Sequence, residues 1–119
     1  MTWAAAPVLI VEDNAETRHT LTRMLGIKGY TTASAEDAET ALEYLESGRT
    51  ASVIVLDLHL PGMDGYQLAE HLHADPAAAR IPIVVFSCDA DYVPGAVARV
   101  QKGTDDPDVL LDAIAACVH

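Results

Sequence analysis

The chain has 119 residues, half of them hydrophobic, and this length suits one compact domain with a single core. Eighteen acidic residues against seven Lys and Arg give a formal net charge of −11, and the basic residues form no patch, which argues against nucleic acid as a partner. No apolar stretch reaches the roughly 18 residues of a membrane span, and residues 1–7 lack the basic start and apolar core of a signal peptide. We therefore expect no membrane association and a cytoplasmic location.

The first apolar run, residues 8–11, predicts a short buried strand. It finishes in two carboxylates, Glu12 and Asp13. A helix is predicted directly afterwards, over about residues 15–27, with Asn14 or Asp13 as its amino-terminal cap. The strand therefore delivers two acidic side chains to the point where the chain turns into a helix.

A second helix is predicted to follow Ser34, because Asp37 stands three residues further on in the pattern of a capping box. Its apolar positions recur at helical spacing before Gly48 and form one face: Ala38, Ala41, Leu42 and Leu45. This face is predicted to pack against the core.

The run of residues 51–56 is apolar and β-branched, which predicts a strand buried on both faces in a parallel sheet. Asp57 closes it and is followed by a turn-rich loop over residues 58–65. In such sheets the ligand crevice lies outside the carboxyl ends of the strands. The next helix is predicted to begin near Asp64 and to end by Asp75, which precedes a proline.

Two further apolar runs complete the sheet. Residues 81–86 end at Ser87, and residues 96–101 end at Lys102. The last helix is predicted after Asp106, with Pro107 at its first position. Strand and helix patterns thus alternate along the chain, which is typical of repeated βα units.

Only eight residues, 88–95, separate the last two predicted strands, whereas a helical crossover takes about a dozen or more. Extended residues can still return the chain for a parallel fifth strand, so we expect the helix at this place to be shortened or absent. An antiparallel fifth strand is the alternative. It would carry Lys102 to the end of the sheet away from Asp57.

If these strands are parallel neighbours, Glu12, Asp13 and Asp57 converge at one edge of the sheet. Carboxylates at such short distances repel one another unless a cation neutralises them. The ligand atoms would all be oxygens, which suits magnesium. Ser87 and Lys102 add a hydroxyl and an ammonium to this edge.

Together, Glu12-Asp13, Asp57 with its loop Leu60-Pro-Gly-Met-Asp-Gly65, Ser87 and Lys102 make the chain resemble the receiver domain of two-component response regulators. The resemblance extends over nearly the whole chain. It implies a flavodoxin-like α/β fold, with a doubly wound five-stranded parallel sheet, in one receiver domain over residues 1–119 with a core of about 7–118. The chain departs from the family at the shortened or missing fourth helix.

The resemblance implies that Asp57 accepts a phosphoryl group from a phosphohistidine of a sensor histidine kinase or a phosphotransfer protein. By the same analogy, Lys102 contacts the phosphoryl oxygens and Ser87 donates its hydroxyl. A carboxylate is a competent nucleophile for this transfer. Such a domain catalyses only its own phosphorylation and dephosphorylation, so we do not expect a conventional enzyme.

The resemblance also implies a magnesium site that manganese can occupy. Glu12 and Asp13 would hold the ion together with an Asp57 oxygen and the backbone carbonyl of His59. Glu12 would bind either directly or through water.

Two residues differ from those that the family usually has near the lysine: Arg99 replaces an aromatic residue and Gly103 replaces a proline. The usual output route is therefore in doubt, unless Tyr92 substitutes for the aromatic residue. By family analogy, His59 and Asp89 border the path of attacking water. Loss of a helix is also predicted to leave apolar sheet surface, to be covered by a loop, a second copy of the chain or a downstream protein.

Two other functions stay open at this point. One is a phosphorylation-independent pseudo-receiver that serves as an interaction module. The other is a magnesium-dependent phosphatase with an aspartyl nucleophile, but such enzymes resemble one another in having a second aspartate two residues after the first. His59 takes that position here, which disfavours the phosphatase.

Overall fold

The computed structural model describes residues 6–118. Residues 1–5 and His119 lie outside that range, so the prediction that residues 1–7 are not a signal peptide falls mostly on residues that are not described. The described residues form five strands: β1 (Val8–Val11), β2 (Thr32–Ala35), β3 (Val53–Leu56), β4 (Ile83–Ser87) and β5 (Ala96–Gln101). The helices are α1 (Ala15–Ile27), α2 (Ala38–Glu46), α3 (Gly65–Ala74) and α4 (Pro107–Cys117), with a 3₁₀ turn at Ala78–Arg80. Between residues 6 and 118, no helix combines the length and apolar character needed to cross a bilayer.

The five strands form one sheet in the order β2-β1-β3-β4-β5, and all neighbouring pairs are parallel. The predicted flavodoxin-like sheet is confirmed. The antiparallel alternative for the fifth strand is wrong, because β5 runs parallel to β4 with Val85 opposite Arg99. The carboxyl ends of β1, β3, β4 and β5 therefore lie at the same edge.

The core has two layers, one on each face of the sheet. Leu9, Ile54 and other alternate strand residues pack with buried residues of α2 and α3. Their neighbours along the strands, including Ile10 and Val55, pack with buried residues of α1 and α4. Because β1 and β3 are covered on both faces, every residue in them is apolar and buried, which is why both are recognisable as apolar runs.

Side-chain caps fix where the helices begin. Asn14 caps α1, Asp64 caps α3 in a capping box, and Asp106 caps α4 ahead of Pro107. The predicted starts of these three helices are confirmed. The prediction for α2 is wrong in detail: Ser34 lies inside β2, and Asp37 is the residue that caps α2 by accepting from the Thr40 N–H at 2.7 Å.

The connection between β4 and β5, residues 88–95, contains no helix; the chain's fourth helix, α4, follows β5. The chain returns for a parallel strand through turns and extended residues, as the short spacing predicts. Val93 from this connection is 1% exposed and packs in the layer with α2 and α3. Gly95, with φ of 84°, makes the turn into β5 in a conformation that favours glycine.

The expected apolar flank next to this connection is largely missing. On the face of β5 that a crossover helix would cover, the register places Ala96, Arg99 and Gln101, of which Arg99 and Gln101 are exposed. Gln101 also donates to the carbonyl of Cys88 at 3.1 Å. Polar side chains and Val93 thus take over much of the role expected of a covering partner.

Candidate functional site

The structure brings the predicted site residues together at the carboxyl edge of the sheet. Glu12 and Asp13 follow β1, Asp57 follows β3, Ser87 ends β4, and Lys102 follows β5. Parallel strands place their carboxyl ends at one edge, so residues up to 90 positions apart in sequence are neighbours here.

Asp57 is 5% exposed, and three donors form hydrogen bonds to its carboxylate. Its Oδ1 accepts from the Ser87 hydroxyl and from the His59 backbone N–H, both at 3.0 Å, and its Oδ2 accepts from the Lys102 ammonium at 3.0 Å. Burial opposes ionisation, but the His59 N–H, the Lys102 ammonium and the Glu12 contact together hold the pKa of Asp57 below its usual value. The residue is therefore a carboxylate at neutral pH.

Glu12 is the less readily ionised of the two buried acids. It is 2% exposed, accepts from the Asn14 N–H at 3.1 Å and pairs with the Lys102 ammonium. Burial raises its pKa to about 7, although the bonds from Lys102 and Asn14 oppose the rise. Glu12 thus changes its charge close to neutral pH.

Lys102 is the cation that joins the two acids. Its side chain is 20% exposed, and its ammonium contacts both Glu12 and Asp57. Burial alone would lower the pKa of Lys102, but the hydrogen bonds to the two carboxylates outweigh it and raise the pKa above its usual value. The lysine therefore stays charged.

The three acids fit a hard divalent cation. Glu12, Asp13 and Asp57 each offer a carboxylate oxygen, and these oxygens lie within 4.8 Å of one another. When all three are ionised, one ammonium leaves two negative charges uncompensated, which a divalent ion would neutralise. An all-oxygen set is what Mg²⁺ prefers.

At the rim of the site, two side-chain pairs join the β4–β5 connection to the segment after β3. His59 Nε2 lies 2.7 Å from Asp89 Oδ2, and the Tyr66 hydroxyl donates to Asp91. The pair expected to border the water path is thus in mutual contact. Tyr92, the suggested aromatic substitute, is 70% exposed.

The sequence analysis did not predict the supporting roles of Arg18 and Gly65. Arg18 of α1 donates from Nη1 to the Glu12 carbonyl at 2.9 Å and to the Asp13 carbonyl at 3.4 Å, which fixes the backbone under both acids. Gly65 packs so closely that a Cβ there would lie 2.4 Å from the Asp57 carbonyl oxygen. For Arg18, the sequence offers only its position four residues after the Asn14 cap, one helical turn along α1. For Gly65, it offers only the presence of a second glycine in the turn-rich loop.

Comparisons with known proteins agree on the family. A family model described as the response regulator receiver domain matches residues 8–110. The chain is 34% identical over 99 residues to the response regulator MprA of Mycobacterium ulcerans, a match that covers 83% of this chain and 41% of the relative. It is 32% identical over 114 residues to the gliding motility regulatory protein of Myxococcus xanthus, covering 90% of this chain and 14% of that protein. The chain thus spans less than half the length of these two relatives.

Solved structures give the same result. The signal receiver domain of a signal transduction histidine kinase from Syntrophus aciditrophicus is 28% identical with a TM-score of 0.84, over 95% of this chain and 89% of that one. A sensor protein from Polaromonas sp. JS666 is 26% identical with a TM-score of 0.85, over 94% of both chains.

Proposed function

The chain belongs to the response regulator receiver domain family of two-component signalling, and on this premise we propose that Asp57 is its phosphoacceptor. One observation carries the proposal: Asp57 is a buried carboxylate whose contacts are the ammonium of Lys102, the hydroxyl of Ser87 and a backbone N–H. The low pKa of Asp57 keeps the nucleophile ionised.

In the proposed step, an Asp57 oxygen attacks the phosphorus of a phosphohistidine. The O–P bond forms as the P–N bond breaks, and the electron pair of the P–N bond returns to the imidazole of the donor. Lys102 and Ser87, each 3.0 Å from an Asp57 oxygen, lie where they can bond the transferred phosphoryl oxygens. Catalysis of this transfer is mostly positioning and charge neutralisation, which these groups supply.

A bound divalent cation would supply further neutralisation of phosphoryl charge. We propose that Glu12, Asp13 and Asp57 hold Mg²⁺, with the His59 carbonyl as a further ligand and Mn²⁺ as a substitute. Glu12 must lose its proton to bind an ion directly, so its charge couples ion binding to pH.

Receiver domains work with histidine kinases or phosphotransfer proteins, and we propose such a donor, in the cytoplasm, for this chain. It would catalyse only its own phosphorylation and dephosphorylation. Binding of a second copy of the chain or of a downstream protein over the β4–β5 flank stays a prediction. The described flank is largely polar, which reduces the apolar surface that such a partner would cover.

Intact-mass spectrometry after incubation with acetyl phosphate tests the proposal. We expect one phosphoryl adduct that requires Mg²⁺ and is lost in Asp57→Asn. Asp112→Asn, which removes an exposed carboxylate of α4, is the matched control and should keep the adduct. No adduct on the folded wild type would instead favour the phosphorylation-independent pseudo-receiver.

A further inference from the structure

The ammonium of Lys102 has a third neighbour besides the two carboxylates. It lies over the ring of Phe86, 5.4 Å from the ring centroid. A cation within about 6 Å of a ring centroid, over the face, is attracted by the negative face of the π system. The lysine head group is therefore held by two acids and one aromatic face.

Phe86 is partly buried and belongs to the core as well as to the edge of the site. It stands on β4 immediately before Ser87, and its side chain packs in the core layer formed with α1 and α4. It lines a cavity of about 480 Å³ together with Leu21, Met24 and Leu110. The ring therefore packs against the core on one side, while the rest of it borders this pocket and the Lys102 ammonium.

The backbone of Lys102 is fixed beside Ser87, whereas its side chain has two acidic partners to choose between. Its backbone N–H donates to the Ser87 carbonyl at 3.0 Å, and Gly103 follows it with φ of 76°. Its long, flexible side chain must still be directed, and both carboxylates compete for the same ammonium. The aromatic face limits the positions that the ammonium can adopt.

We propose that Phe86 is a positioning residue, which holds the Lys102 ammonium beside Asp57. This proposal rests on the proposed phosphoacceptor function for its effect on phosphoryl transfer. When Asp57 gains a phosphoryl group, the ring keeps the ammonium at the phosphoryl oxygens instead of releasing it toward solvent.

The test compares Phe86→Leu, which keeps an apolar side chain without a π face, with Phe86→Tyr, which restores the face. Phe86→Met is a second aliphatic variant in case the leucine variant folds poorly. The chain has only two lysines, so a spectrum of protein with ¹³C-labelled lysine shows Lys102 beside Lys28 as an internal reference. Ring current shifts protons above an aromatic face upfield.

We expect the Hε signals of Lys102 to lie upfield of those of Lys28 in the wild type and in Phe86→Tyr, and to lose that displacement in the aliphatic variants. The rate of phosphorylation by acetyl phosphate should fall about fivefold in the aliphatic variants and recover in Phe86→Tyr. Lys102 signals that are the same in the wild type and in the folded aliphatic variants would overturn the proposal. So would aliphatic variants in which the upfield displacement is lost but the phosphorylation rate is unchanged. The lysine spectrum needs no phosphoryl transfer, so it shows whether Lys102 lies over the Phe86 ring even where Asp57 takes up no phosphate, while the rate shows whether the ring positions the ammonium for transfer.

Discussion

Replacing Lys102 with methionine removes the ammonium that joins the Glu12 and Asp57 carboxylates while keeping most of the side-chain stem. Glu12 and Asp57, with side chains 2% and 6% exposed, would then face each other without an ammonium between them. Removing one partner of a buried ion pair costs about 3–5 kcal/mol, because the remaining charge stays buried and uncompensated. Lys102 keeps 20% of its side chain exposed, so we expect the lower end, about 3 kcal/mol.

This cost should depend on pH. The pKa of Glu12 is about 7 in the folded chain, above its model-compound value of 4.5, so Glu12 contributes stability below about pH 4.5 that is lost as the pH rises through 7. Lys102 lowers the pKa of Glu12, so its loss moves this window to higher pH. The loss of unfolding free energy in Lys102→Met should therefore be larger above the pH range in which Glu12 ionises than below it. Below that range Glu12 is protonated, and the Asp57 carboxylate is the single buried charge that remains of the pair.

Urea unfolding followed by circular dichroism, without divalent ions and on both sides of pH 7, measures the effect. Lys28→Met is the matched control, since Lys28 is exposed at the carboxyl end of α1. We expect Lys102→Met to lose stability mainly at the higher pH, and added Mg²⁺ to restore part of it there. Equal unfolding midpoints for the two lysine variants at the higher pH would refute the reasoning.

Three further predictions follow from single contacts. Gly65→Ala should cost about 2–3 kcal/mol in urea unfolding, because its Cβ would meet the Asp57 carbonyl oxygen at 2.4 Å, whereas Gly26→Ala in α1 has nothing within 4 Å and should be stabilising. Val93→Ala should cost about 2 kcal/mol because Val93 is 1% exposed, while Val97→Ala, at a position 62% exposed, should be nearly neutral; equal effects would contradict the role given to Val93. Tyr66 should ionise near pH 12 in an ultraviolet titration, since its hydrogen bond to Asp91 raises its pKa to about 12. Asp91→Asn should remove most of that shift.

The central strands could be predicted from sequence because burial on both faces leaves them no polar residues. Residues 8–11 and 53–56 are continuous apolar runs for that reason. β2 lies at an edge of the sheet, and its sequence, Thr-Ala-Ser-Ala, has no comparable apolar run. Without an apolar run to indicate a strand, the pattern of Ser34 and Asp37 predicts a helix cap where the structure has the end of β2.

The position of the site could be predicted because it depends only on which residues follow parallel strands. That rule brings Asp57 and Ser87 to one edge. Lys102 joins them because β5 runs parallel to β4, which the sequence alone left open. The contacts of Lys102 with Phe86 and of His59 with Asp89 depend on rotamers and on a loop path that no local pattern encodes.

The short β4–β5 connection shows how a parallel sheet can omit a covering helix. A one-residue shift in the β4–β5 register, between Ile83 and Val84, sets which β5 side chains share each face. On the face without the helix, only Ala96 is apolar, while Arg99 and Gln101 reach solvent. Because so little apolar surface remains there, one buried residue from the connection is enough to close the core. The helix is dispensable because the edge strand is already polar on that face.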